Sequence, residues 1–317
     1  MINDARFRRR LRLRDFDTLL AVSRHGSMAK AATHLSVSQP TVSKTIADLE
    51  HALGIPLFDR TAQGVEPTRY GRALLKSAAA VFDDVRQGIA ELEFLADPTT
   101  GELRVGGSEP MLGGFLAAVL ADLHRQHPRM KFKVTQPSTV AQQRRELRER
   151  AVDLIVGRVV LTETEEDIAT EVLFEEPWAV VSGLQNPLAR RRKLALADLL
   201  DASWTLPWSD GVIGVYMTEA FRAAGLEPPR SVVTCASIQM HLALMANGPF
   251  LAIFPRSLLR FSANWMSVKV LPVRLPGPPP PVGIITLRKR TLSPVAQLFI
   301  ERAREMAKPL TGSHANL

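Results

Sequence analysis

The sequence predicts an α/β chain made of a small, mainly helical front domain, one long connecting helix and a larger two-lobed α/β domain. Three observations predict it. Within residues 28–71, two short helical patterns flank a tight turn. Residues 69–96 then carry one apolar stripe without interruption. From Gly101 onward, strand-like and helix-like stretches alternate, as a mostly parallel sheet with covering helices requires. The 317 residues are enough for two or three units of ordinary size.

In the front domain, Ala31, Ala32 and Leu35 are spaced as the inner face of one helix. Val42, Ile46, Leu49 and Leu53 step by four, three and four along one face of a second. Ser38 is placed to cap the second helix just ahead of Pro40 in its first turn. The small alanines let the helices cross closely, and Val37 is expected to plug the corner. The face left over carries Gln39, Thr41, Ser43, Lys44, Thr45 and Asp48. It is polar, short-armed and rich in hydrogen-bonding groups, as a helix lying in the DNA major groove must be.

By spacing alone, the pair fits an αα-hairpin packed on a core as well as a helix-turn-helix. Two features favour DNA. Leu57-Phe58-Asp59-Arg60, Gln63-Gly64 and Thr68 form the pattern of a short two-stranded wing with a basic tip. Residues 1–76 also hold 13 Lys/Arg against 7 Asp/Glu, +6 of the chain's +8, which is the electrostatic footprint of phosphate contact. Arg6, Arg8, Arg9, Arg10, Arg12 and Arg14 fit a solvated lead-in to the first helix and an arm on phosphates equally well.

In the connecting helix, Leu74, Ala78, Phe82, Val85, Ile89 and Leu92 keep three- and four-residue steps. At about 1.5 Å per residue this is a rod of roughly 40 Å. A single apolar seam of that length needs a partner, either its own domain or, as favoured here, a second subunit. Asp97-Pro98-Thr99-Thr100-Gly101 breaks the helix and is read as a hinge.

Beyond it, strands are expected at 103–105, 131–135, 153–157, 171–181, 231–234, 251–254 and 282–287. Helices are expected at 112–127, 140–150, 217–224, 238–246 and 294–306. Two lobes need two crossings, placed near Thr170 and Leu275. Pro276-Gly277-Pro278-Pro279-Pro280-Pro281 is read as the stiff bridge of the second crossing.

Composition bounds the chemistry. With 46% hydrophobic residues and mean hydropathy +0.01 the chain supports packed cores. Cys235 is the one cysteine, so no internal disulfide forms; it is expected in a core strand and fits a reducing compartment. No apolar run follows the N-terminal arginines or approaches the ~20 residues of a membrane span, so a cytoplasmic protein without membrane contact is expected. Gly106-Gly107-Ser108-Glu109-Pro110 lacks the spacing of a nucleotide loop, no nucleophile elbow is present, and the seven histidines have no metal-ligand spacing. No cofactor, metal or catalytic constellation is expected.

The run from Phe16 through Gly71 resembles the winged helix-turn-helix of LysR-type transcriptional regulators. Phe16, Leu19-Leu20, Ser27 to Ala32, Ser38 to Lys44, Leu49-Glu50, Leu53-Gly54, Leu57-Phe58, Arg60, Thr68 and Gly71 carry the resemblance in order. It implies DNA contact by Gln39, Pro40, Thr41, Ser43 and Lys44 from the recognition helix and by Arg60 from the wing. Lys44 stands where Arg is commoner and lacks a bidentate fork, which points it to a phosphate. Pro67 stands where Leu is usual.

The resemblance also implies the organisation: a DNA-binding domain over 1–68, a linker and dimerisation helix with hinge over 69–100, and an effector domain over 101–317. That effector domain is two-lobed like a periplasmic binding protein, with lobe I at 101–170 and 275–317 and lobe II at 171–274. The implied partners are double-stranded DNA, a small-molecule effector, and further copies in a homodimer or homotetramer. A solute-binding protein with an accessory helical domain is the alternative, disfavoured by the basic front quarter.

The effector pocket of the family lies between the lobes. Ligands of such sheets sit beyond strand ends beside helix N-termini, which assigns Ser108, Glu109, Ser138, Thr139, Arg158, Pro207 and Ser237 to it. Each Ser or Thr is equally a helix cap. Arg158 can grip a carboxylate bidentately. Glu109 repels one unless Arg158 neutralises it, so a carboxylate or a sugar-like polyol both stay open.

Overall fold

A computed structural model describes residues 11–61, 64–159, 165–261 and 267–311, with the backbone alone at Arg60 and Thr61. Arg6, Arg8, Arg9, Arg10 and Gln63 lie outside the described residues. The chain forms two compact units, Met1–Ile89 with Arg148–Arg150, and Ala90–Leu147 with Ala151–Leu317.

The first unit contains α1 (Leu13–His25), α2 (Met28–Leu35), α3 (Gln39–Leu53), β1 (Phe58–Thr61), β2 (Gly64–Pro67) and most of α4 (Arg69–Ala96). Ser27 Oγ accepts from Lys30 N to start α2, and Ser38 Oγ accepts from Thr41 N at 3.3 Å to start α3. Phe16, Leu19, Val22, Ala31, Ala32, Val42, Ile46, Leu49 and Leu57 make one buried core. Val37 does not plug the corner: it is 44% exposed. Ser36 adopts a left-handed conformation (φ 56°) and Val37 N donates back to Ala32 O, a closure that turns the valine outward and leaves the alanines and Leu35 to fill the corner.

The wing pairs Phe58 with Pro67 and Thr61 with Gly64 in antiparallel register, so Pro67 sits at the strand end, where a missing N–H is tolerated. Val65 N donates to Gly26 O at 2.9 Å, and a Cβ on Gly64 (φ +136°) would lie 2.4 Å from that same oxygen. Only glycine allows both the conformation and the approach. Glu50 Oε1 accepts from Leu57 N at 2.7 Å and Phe58 N at 3.1 Å, tying the end of α3 to the wing.

The second unit runs β3 (Thr100–Gly107), α5 (Ala117–Gln126), β4 (Arg129–Thr135), α6 (Val140–Arg148), β5 (Leu154–Arg158), β6 (Ile168–Glu175), β7 (Trp178–Gly183), β8 (Ser203–Leu206), α7 (Val212–Ala223), β9 (Ser231–Thr234), α8 (Ile238–Asn247), β10 (Phe250–Pro255), α9 (Arg256–Phe261), β11 (Val268–Val270), β12 (Pro281–Leu287) and α10 (Pro294–Ala307). Lobe I has the sheet β4-β3-β5-β12-β6 and lobe II the sheet β11-β7-β10-β8-β9. Leu103, Val105, Phe115, Leu116, Leu154 and Phe299 centre one core, and Trp204, Phe221, Leu251 and Ile253 the other.

Three expectations need correction here. The single strand expected over 171–181 is two strands. β6 pairs with β12 along its length, so lobe I continues to Glu175 and the crossing is Glu176-Pro177, not Thr170. The helix expected from residue 112 starts at Glu109 and passes through a wider turn over Leu112–Leu116, where Gly114 leaves helical geometry. A Cβ on Gly114 would lie 2.9 Å from Leu258 Cα, so the irregularity lets α9 press onto lobe I. The turn read as a hinge is pinned: Asp97 Oδ1 accepts from Thr99 N and Oγ1, and Arg129 Nη2 reaches Asp97 Oδ2 at 2.5 Å. A turn with its backbone and both ends bonded is anchored to lobe I.

Candidate nucleic-acid interface and interlobe cleft

Val42, Ile46 and Leu49 are buried, and the helix geometry therefore turns Gln39, Pro40, Thr41 and Lys44 outward, with Ser43 half-buried beside them. The Thr41 hydroxyl lies 2.8 Å from Ser38 Oγ, and Thr45 Oγ1 donates to Thr41 O at 3.0 Å. These local bonds hold the first turn rigid. Gln39 and Lys44 extend from it with no partner side chain recorded among the described residues. The Arg60 backbone lies in β1 opposite Val65.

On α4 the apolar stripe divides in two. Leu74, Ala78 and Phe82 pack on the core of the first unit, whereas Val85, Ile89, Leu92 and Leu95 are exposed, Ile89 by 52% and Leu92 by 68%. Phe82 belongs to intrachain packing, so the exposed part of the stripe starts at Val85.

In the two-lobed unit, β4, β3 and β5 are parallel neighbours, so Ser138 and Thr139, Ser108 and Glu109, and Arg158 all sit at one edge of the lobe I sheet. Pro207 follows β8 and Ser237 follows β9, parallel neighbours at one edge of lobe II. The two edges meet: Glu109 Oε1 accepts from Ile238 N at 3.1 Å. Glu109 thus caps α8 from the opposite lobe, while Ser237 caps it from its own end by accepting from Met240 N. Thr139 Oγ1 accepts from Gln142 N, Ser138 N donates to Gln142 Oε1, and Ser108 caps without a side-chain bond.

Arg158 lies over the ring of Trp178, 4.6 Å from its centroid, and Glu176 supplies its electrostatic partner. Burial lowers the Arg158 pKa to about 9 despite that carboxylate. Burial likewise pushes Glu176 up to about 7, against hydrogen bonds from Ser257 N and Oγ and the charge of Arg158. The charge that acts on Arg158 is that of Glu176, not of Glu109. Trp178 was not foreseen; its only trace in the sequence is an aromatic residue just past Glu176-Pro177.

A carboxyl whose folded pKa exceeds the unfolded value binds more protons when folded, so it removes stability as pH rises from about 4.5 toward 7. Glu176→Gln is therefore expected to raise the melting temperature at pH 8 and to lose that advantage near pH 4.5. Parallel melting curves of parent and variant across that range check it, and a pH-independent difference would count against it.

Cys235 is half-buried rather than in a core, with Sγ 3.8 Å from Nδ1 of His241. The β9 edge strand faces solvent on most of its residues, which is why the apolar run misled. His241 is buried, bonded through Nδ1 to Thr205 Oγ1 at 2.8 Å, and burial lowers its pKa to about 4. Among the described residues no group of three or more His, Cys, Asp or Glu side chains is arranged to hold a metal ion, and no helix is long and apolar enough to cross a membrane.

Residues 13–72 match the model of the bacterial regulatory helix-turn-helix protein, lysR family, and residues 96–308 that of the LysR substrate binding domain. The HTH-type transcriptional regulator GbpR of Azospirillum brasilense is 30% identical over 317 residues, covering 96% of this chain and 92% of that protein. Among solved structures, the LysR family regulator CbnR aligns with TM-score 0.64 at 22% identity, over 94% of this chain and 99% of its own. A full-length OxyR variant from Pseudomonas aeruginosa aligns with TM-score 0.69 at 20% identity, over 96% and 99%.

Proposed function

The chain belongs to the LysR family of DNA-binding transcriptional regulators, and from that premise we propose which of its surfaces perform each step. Gln39, Pro40, Thr41 and Ser43 read base edges in the major groove, while Lys44 and Arg60 hold phosphates. The α4 seam from Val85 to Leu95 pairs two copies, so that two readers meet two half-sites. A small molecule entering between the lobes changes the lobe arrangement and, through differing affinity for the two arrangements, changes DNA binding. The observation that carries this reading is the outward polar face of α3 above its buried Val42, Ile46 and Leu49 stripe.

A gel-shift titration on the DNA upstream of the protein's own gene tests it. Gln39→Ala is expected to weaken specific binding by about 1–3 kcal/mol and to leave nonspecific binding nearly unchanged, as for a lost base contact. Lys44→Ala is expected to weaken both alike and to reduce the salt slope by about one unit. Unchanged operator affinity in both variants would remove α3 as the reading helix.

A further inference from the structure

Resting on that cleft, we propose that Glu109 sets its specificity, excluding acids and admitting a neutral polyhydroxylated ligand. Glu109 and Arg158 each lie two residues beyond the Gly107–Val156 pair on neighbouring parallel strands, so their backbones leave the lobe I sheet at the same end. The carboxylate already occupies the place where α8 offers its free N–H groups, bonding Ile238 N from the other lobe. A helix N-terminus favours a negative charge, and here the protein supplies that charge itself. An incoming carboxylate meets a filled site and a like charge.

Independent donors of the same two-lobed unit are without acceptors. The side-chain N–H groups of Arg158 have no hydrogen-bond partner among the described residues. Trp178, whose ring carries that guanidinium, is 7% exposed, and its buried Nε1 also has no partner. A buried donor left unmet costs about 1–3 kcal/mol, which an oxygen-bearing ligand recovers. The ligand must therefore accept from Arg158 and Trp178 Nε1 and donate to the carboxylate of Glu109. Hydroxyl groups do both. Trp208, exposed at the end of β8 on the facing lobe, supplies an aromatic face for the C–H side of such a ring.

The test uses the full chain without DNA, so it fails or succeeds apart from any regulatory response. Melting temperature is followed during titration with D-glucose, D-arabinose and myo-inositol, with D-gluconate and D-arabinonate as their acid counterparts, with L-alanine as a zwitterion, and with acetate. The expected result is a saturable rise for a neutral member of the panel, none for its acid form, and none for acetate. E109Q keeps an oxygen for Ile238 N–H and drops the charge, while E109A vacates the site. Both are expected to lose at least about tenfold in apparent affinity for the neutral compound, and E109A to gain an acetate response that the parent lacks. W178F, which keeps the ring under Arg158 and removes only the N–H, is expected to weaken the same neutral compound several-fold. Stabilisation of the parent by an acid form or by L-alanine equal to that by the neutral compounds would overturn the proposal. So would an E109A variant as insensitive to acetate as the parent.

Discussion

Replacing Ile89 and Leu92 together by aspartate is expected to yield a smaller oligomer whose operator affinity falls by roughly 10²–10⁴-fold, the avidity lost when two linked readers become one. Both side chains are more than half exposed on α4, in line with Val85 and Leu95. An apolar strip of that length left in water is unfavourable in proportion to its area, at about 25 cal/mol per Å². In the proposed pairing a second copy covers it, and aspartates at its centre would be buried without partners. Phe82 is deliberately spared, since it packs into the core of the first unit and its loss would confound dissociation with unfolding. Sedimentation velocity reports the oligomer and gel-shift titration the affinity. An unaltered sedimentation coefficient would return the stripe to packing within one chain.

The second large effect is expected at Asp153. Its carboxylate is 3% exposed and accepts from Arg104 N at 2.9 Å, Arg104 Nη2 at 2.6 Å and Arg290 Nη2 at 2.7 Å. Burial alone would raise its pKa, yet the bonds and charge of Arg104, with the charge of Arg290, bring it below the usual carboxylate range. Arg290 is itself fully buried, donating to Val152 O at 2.6 Å. Asp153→Ala leaves two cations facing each other in the base of lobe I, a change that costs about 3–5 kcal/mol. Each kcal/mol lowers the melting temperature of a domain of this size by roughly 2–4 °C. Calorimetry should show the effector-domain transition moving while the DNA-binding transition stays. A shift of less than about 1 kcal/mol would mean that water already reaches the pair.

The helix-turn-helix was legible because everything that specifies it is local. The Val42, Ile46 and Leu49 spacing, the Ser38 cap and Pro40 lie within twelve residues of one another. The lobe boundary was not. Val172, Leu173 and Phe174 run on to Trp178, Ala179, Val180 and Val181 with only a short polar break. β6 joins the lobe I sheet by pairing with β12, more than a hundred residues away, and β7 joins the lobe II sheet by pairing with β10. The same limit hid the partner of Glu109. Its charge is plain in the sequence, but Ile238 N is 129 positions distant. On α4 the periodicity of Phe82 and Ile89 is identical, and only the neighbours of each tell an intrachain contact from an open one. Arg158 was singled out from a strand end, whereas Trp178 beneath it had no pattern to announce it.

The two crossings between the lobes run side by side, with Glu176 N donating to Pro280 O at 3.1 Å, and carry Pro177 on one strand and Pro276 and Pro278 to Pro281 on the other. Each proline fixes its φ near −65°, so the connection has few torsions left to turn. A slack tether between two bodies conveys only how far apart they stand; a stiff pair of straps conveys an angle. Torque applied at the far edge of either lobe is therefore delivered as rotation about one axis instead of being dissipated in loop rearrangement. Little chain entropy is spent if the angle changes, so under the proposed function a weakly held molecule suffices to drive it.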